Sequence, residues 1–129
     1  MSKVVISTPD APAAIGPYSQ AIEINGTVYV SGQVGLVPGH EGVPQVEGTL
    51  EEQTHQVMKN LEAVLKAAKL TFDHVVKCSI FLDSMDDFAT VNKIYGEKFP
   101  TNPPARETVE VSVLPKRALV EISCIAVSF

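Results

Sequence analysis

The sequence predicts an α+β fold, with two amphipathic helices against one face of a mixed six-stranded sheet. Three observations carry that reading. The elements run β-β-β-α-β-α-β-β, with helices interleaved among strands only in the second half of the chain. Two segments repeat apolar residues at helical spacing. The last strand, Ala118 to Val127, is apolar on both faces, as in a central strand covered on both sides.

Taken in order, Lys3–Ser7 is a short first strand, and the proline-rich stretch from Thr8 to Pro17 is a loop. Tyr18–Ile24 and Thr27–Gly32 form a hairpin around Asn25-Gly26, whose residues suit the positive φ angles of a two-residue turn. Gly35 to Gly48 carries glycines and prolines and reads as an irregular surface loop. Thr49-Leu50-Glu51-Glu52 is a capping box that opens the first helix, with Leu50, Val57, Met58, Leu61, Val64, Leu65 and Ala68 as its stripe. Strand His74–Leu82 is expected to place Val76, Cys78, Ile80 and Leu82 on one face. Ser84, Asp86 and Asp87 start a second helix with the stripe Phe88, Val91, Ile94, Tyr95 and Phe99, and Pro100 stops it. Two strands then flank a turn at Leu114–Arg117. The first puts Val109, Val111 and Val113 on one face and Arg106, Thr108, Glu110 and Ser112 on the other.

At 129 residues the chain reads as one domain, 1-129, with 45% hydrophobic and 19% charged residues, as in an ordinary globular protein. A net charge of −5, few aromatics and no basic cluster remove the electrostatic footprint of a nucleic-acid binder. The N-terminus lacks a signal sequence, and no segment approaches the roughly 18 apolar residues of a membrane span. Cys78 and Cys124 fall in apolar strand patterns, as buried free thiols of a reducing, cytoplasmic compartment do. His40, His55 and His74 lack ligand spacing, so no metal site is expected. No phosphate-binding loop and no Ser/His/Asp or Cys/His set is recognisable.

Two residues remain chemically suggestive. Glu121 interrupts the apolar run of the last strand, where a carboxylate is costly unless something compensates it. Arg106, on what is expected to be the neighbouring strand, is a candidate partner for Glu121 or for a ligand. On spacing alone a structural reading, as a cross-strand ion pair or a charge at a barrel mouth, is favoured.

Several blocks then resemble one family. Pro104-Ala105-Arg106, Leu114-Pro115-Lys116 and Leu119-Val120-Glu121-Ile122 are similar to the signature of the reactive intermediate (enamine/imine) deaminases, also called the Rid, YjgF or liver perchloric-acid-soluble protein family. The likeness extends to Ala13–Ala21, Ser31-Gly32-Gln33 and Asp87–Asn92, in order over nearly the whole chain. The resemblance implies a bacillar chorismate-mutase-like fold, assembled as a homotrimer with a barrel-like core and active sites between subunits. It implies hydrolysis of 2-aminoacrylate or 2-aminocrotonate and their imine tautomers to a 2-oxo acid and ammonia, with no cofactor. Under it Arg106 grips the substrate carboxylate, Glu121 positions or deprotonates water, and Tyr18 closes the site. Backbone groups around Gly32 and residue 107 bind substrate beside Ser31, Asn92 supports the site and Phe88 walls it.

The chain departs from the family pattern at four places: Glu107 stands where a small or thiol residue is usual, Arg117 follows Pro-Lys, Ser123-Cys124 follows Glu121-Ile122, and Lys69 ends the first helix. The alternatives are an RNA-directed endoribonuclease or translation inhibitor, which the acidic charge counts against, and a small-molecule-binding or chaperone-like trimer without turnover.

Overall fold

The computed structural model describes residues 2–39 and 48–129. Its six strands are β1 (Val4–Ile6), β2 (Ala21–Ile24), β3 (Thr27–Gln33), β4 (Val75–Leu82), β5 (Ala105–Glu110) and β6 (Val120–Val127). Helices α1 (Leu50–Ala67) and α2 (Phe88–Gly96) complete the α+β layer. The sheet order is β1-β2-β3-β6-β4-β5. Only the β4–β5 pair is parallel, so the sheet is mixed.

The local signals account for the element boundaries. Asn25 and Gly26 turn the β2–β3 hairpin at positive φ (54° and 79°). The Thr49 hydroxyl and the Glu52 side chain satisfy each other's backbone amides, starting α1. Lys69 takes the left-handed conformation (φ 63°) just past the end of α1, where glycine is the easier residue. Ser84 caps a single 3₁₀ turn, Met85–Asp87, that leads directly into α2.

Both helices bury their stripes on one face of the sheet. Val57, Met58, Leu61, Val64 and Leu65 of α1 and Val91, Ile94 and Tyr95 of α2 meet Val28, Val30, Cys78, Ile80, Leu82, Val120, Ile122, Cys124 and Ala126. Each large aliphatic side chain sequestered there contributes about 1.5–3 kcal/mol. Cys78 and Cys124 are buried, free, and directly opposite each other across β4 and β6.

Four expectations need correction. Tyr18–Gln20 is not strand, because side-chain bonds described below hold that segment as a loop. Val76 does not join the buried face. A bulge between Val75 and Lys77 shifts the register, leaving Val76 exposed and burying Val75 instead. Strand β6 is central, but its burial alternates, and within one chain only the helix side of it is covered. Finally, β5 does not neighbour β6, because β4 lies between them. The expected loop between Gly35 and Gly48 falls mostly outside the described residues, and His40 falls there with it.

Candidate active site

The fold separates Arg106 from Glu121. Arg106 pairs with Cys78, which pairs with Cys124, so it projects on the helix-covered face. Glu121 pairs with Phe81, which pairs with Val109, so it projects on the opposite face. The two are also two strand spacings apart, about 10 Å across the sheet. The cross-strand ion pair between them is therefore excluded within one chain, and the expected site residues fall into two clusters.

The first cluster surrounds Glu121. It is a cavity of about 530 Å³ lined by Pro12, Ala13, Ile15, Tyr18, Gln20, Ser31, Gly32, Gln33, Val34, Leu36, Pro115, Lys116 and Glu121. Strand β3 bulges between Val30 and Gln33, which brings Ser31 and Gly32 to this wall. Gly32 lets the carboxylate approach its backbone: a Cβ on it would lie 2.7 Å from a Glu121 carboxylate oxygen and displace that side chain. Burial pushes the Glu121 carboxyl above the usual glutamate range, which suits a base working near neutrality.

The opposite wall is the proline-rich loop, and Gln20 holds it. Its amide donates to the carbonyls of Pro12 (2.8 Å), Thr8 (3.1 Å) and Ala11 (3.3 Å), while its oxygen accepts from the Thr8 amide (2.7 Å). These bonds satisfy backbone groups that a proline-rich segment cannot satisfy in a ladder. Ser31 donates its hydroxyl to the Ser19 carbonyl (2.5 Å) and its amide to the Gln20 carbonyl (2.9 Å), joining the two walls. The Tyr18 hydroxyl accepts from the Ile15 amide (3.4 Å), and the residue remains 54% exposed at the cavity mouth. Lys116 lines the same cavity from a turn in which it and Arg117 both have φ of 54°, a conformation that stores strain in residues with a Cβ.

The second cluster surrounds Arg106. Its guanidinium donates to the Asn92 side-chain oxygen (2.7 Å) and lies 5.5 Å from the Phe88 ring centroid and 5.2 Å from that of Tyr95. Two aromatic faces and one amide thus fix the plane of an exposed cation. A second cavity of about 430 Å³, lined by Asn92, Tyr95, Gly96, Phe99, Pro103, Pro104 and Arg106, opens there. The Tyr95 hydroxyl is buried without a hydrogen-bond partner. The Cys78 thiol lies beside it without hydrogen-bond geometry, and burial pushes both groups up.

Glu107 belongs to neither cavity. It points to the face opposite Arg106, where Lys77 pairs with it at 2.8 Å and the Ser79 hydroxyl donates to it. Those two contacts hold its carboxyl below the usual range. Tyr95, Gln20 and Lys116 were not among the residues expected from the sequence. Tyr95 is hidden in the apolar stripe of α2, whereas Lys116 stands in the Leu114-Pro115-Lys116 block and was legible there. No group of His, Cys, Asp and Glu that could hold a metal occurs among the described residues, and no helix there is long and apolar enough to cross a membrane.

Comparison with known proteins matches nearly the whole chain. The family model described as Endoribonuclease L-PSP matches residues 8–128. A Mus musculus protein named 2-iminobutanoate/2-iminopropanoate deaminase is 50% identical over 95% of this chain and 90% of its own length. The Arabidopsis thaliana protein named reactive intermediate deaminase A, chloroplastic, is 48% identical over 98% of this chain, which spans 66% of that longer protein. Among solved structures, a Yersinia pestis member of the Rid protein family superposes with a TM-score of 0.93 at 51% identity, covering 98% of this chain and 100% of that one. E. coli TdcF with bound serine superposes with a TM-score of 0.90 at 32% identity, covering 98% of this chain and 99% of its own. The chain belongs to the endoribonuclease L-PSP family, which is the Rid (YjgF) family that its sequence blocks resemble.

Proposed function

We propose that this protein hydrolyses 2-enamine and 2-imine acids such as 2-aminoacrylate and 2-aminocrotonate to 2-oxo acids and ammonia, in sites completed between copies of the chain in a homotrimer. One observation carries the reading. A cation suited to a carboxylate and a carboxylate suited to activating water lie on opposite faces of one sheet, each in its own cavity. A substrate of six to seven heavy atoms cannot touch both in one chain, so the Arg106 cluster of one copy must meet the Glu121 cluster of another. The deaminase names of relatives at 48–50% identity support the same chemistry.

In such a site Arg106 binds the substrate carboxylate through two parallel hydrogen bonds, its plane set by Phe88, Tyr95 and Asn92. The enamine reaches its imine tautomer, whose C2 is the electrophile. Glu121 takes a proton from a water as the oxygen bonds to C2, and the C=N π pair moves to nitrogen. Glu121 returns that proton to nitrogen, and passage of the hydroxyl proton of the tetrahedral carbinolamine to the same nitrogen then breaks the C–N bond, releasing ammonia and leaving a 2-oxo acid. Tyr18 stands at the mouth, where it shields the intermediate, and Ser31 and Gly32 line the wall beside the reacting carbon.

The test is direct. A serine dehydratase generates 2-aminoacrylate in place, and conversion to pyruvate and ammonia is followed with and without this protein. The expected result is an acceleration lost in Arg106→Ala and Glu121→Gln. An unaccelerated reaction favours the binding protein without turnover. The family model's own description favours an RNA-cleaving reading. A net charge of −5 argues against it, and RNA cleavage that copurifies with the protein and persists in Arg106→Ala would restore it.

A further inference from the structure

We infer that two buried amides on one face of α1, Gln53 and Asn60, are positioning residues for the Glu121 cavity: they clamp the chain leaving β3 and the chain entering β6, and so hold Gly32 and Glu121 against each other. The inference rests on the role proposed above for Glu121 as the base.

Asn60 has no exposed surface, yet it is polar in a helix face that otherwise buries Val57, Leu61 and Val64. Its amide donates to the carbonyls of Leu36 (2.9 Å) and Val34 (3.1 Å), and its oxygen accepts from the Gln56 amide (2.9 Å). Val34 and Leu36 lie just beyond the end of β3, and the Val34 carbonyl also accepts from the Leu36 amide (2.8 Å). Gln53 sits seven residues earlier, two turns along the same face. Its side-chain oxygen accepts from the Leu119 amide (3.0 Å), while the Leu119 carbonyl accepts from the Asp83 amide (3.1 Å). Gly35 packs directly on Gln53: a Cβ there would lie 3.1 Å from the Gln53 Cα and carbonyl oxygen.

The clamped points lie two residues from the site on each side, Val34 from Gly32 and Leu119 from Glu121. Between them Gly32 and Glu121 are in close contact: a Cβ on Gly32 would lie 2.7 Å from a carboxylate oxygen and 3.1 Å from the Cγ of Glu121. Loosening either clamp lets β3 and β6 part at the bulge and admits water to Glu121. The charged and titratable groups sharing its cavity are Tyr18 and Lys116; β3 presents Ser31, Gly32 and Gln33, and β4 presents Phe81. Burial is what raises the Glu121 carboxyl, so its titration reports how well the clamp excludes water.

The experiment uses the full chain and compares Gln53→Met and Asn60→Leu with Val64→Ala, a substitution in the same helix that removes packing without touching either clamp. Melting and light scattering establish that each variant is folded and assembled. The Glu121 carboxyl is followed by ¹³C NMR against pH, assigned by its loss in Glu121→Gln, and kcat and KM are measured on 2-aminoacrylate. The expected result is a Glu121 midpoint that moves down toward the ordinary glutamate value in Gln53→Met and Asn60→Leu. With it kcat should fall by about 10- to 100-fold while KM, set by the untouched Arg106 cluster, stays within about threefold. Val64→Ala should melt earlier but keep both the titration and kcat of the unmodified protein. A Glu121 midpoint unmoved in both clamp variants, or moved as far in Val64→Ala, overturns the inference. The titration is read without turnover, so a protein that fails to deaminate 2-aminoacrylate but shows the shift overturns the proposed function and not the clamp.

Discussion

Arg106 hydrogen-bonds a neutral, exposed amide, so its charge contributes little to folding within the chain. Arg106→Lys and Arg106→Ala are therefore expected to melt close to the unmodified protein. Both should lose deaminase activity, because lysine keeps the charge but not the planar fork. A charge-assisted pair of this kind is worth on the order of 2–4 kcal/mol, or roughly 30- to 1000-fold in kcat/KM. An active lysine variant beside an unstable alanine variant contradicts this. Glu121 behaves in the opposite sense. Its folded pKa is raised, so the stability linked to it is complete below its unfolded pKa and is lost as pH rises through the folded one. Glu121→Gln should thus abolish turnover yet melt at or above the unmodified protein near neutral pH, with the difference vanishing as pH falls through the ordinary glutamate range. Glu107→Ala should change kcat/KM by less than about tenfold, or roughly 1.4 kcal/mol. Its carboxylate faces away from Arg106 and is already engaged by Lys77 and Ser79.

At the scale of elements, local signals were legible and pairing was not. The capping box at Thr49, the Asn25-Gly26 turn and the two helical stripes depend on neighbours in sequence, and each stands where the pattern puts it. Thr49→Ala should consequently cost about 1 kcal/mol in denaturant unfolding and leave activity unchanged, since Thr49 lines neither cavity. The Val75/Lys77 bulge and the insertion of β4 between β6 and β5 depend on partners far along the chain, and alternation alone cannot anticipate them. The Arg106–Glu121 ion pair failed for that reason: two polar residues on consecutive strands look adjacent until a third strand intervenes. Tyr95, Gln53 and Asn60 were hidden for another reason. On a helix, a buried tyrosine or amide reads as part of the packed face, and only the ring contact of Tyr95 with Arg106 and the hydrogen bonds of the two amides reveal a second duty.

For the whole molecule, the sheet has one face packed by helices and one on which Tyr29 and Val109 stay exposed and Phe81, Ile125 and Val127 are half-buried in a single chain. A second copy over that face gives those side chains an apolar environment, and the sites proposed here require one. The protein is expected to scatter light as a trimer at micromolar concentration. Mixing Arg106→Ala with Glu121→Gln tests the two-chain site most directly. Each variant alone lacks one cluster and should be inactive. After co-refolding at equal amounts, a site is whole only where an intact Arg106 cluster meets an intact Glu121 cluster. Random assembly makes that true for one half times one half of the sites, or about a quarter. Deaminase activity is expected to return to about a quarter of that of the unmodified protein. Activity that stays at the level of the two parents, in trimers shown to have exchanged subunits, would contradict it.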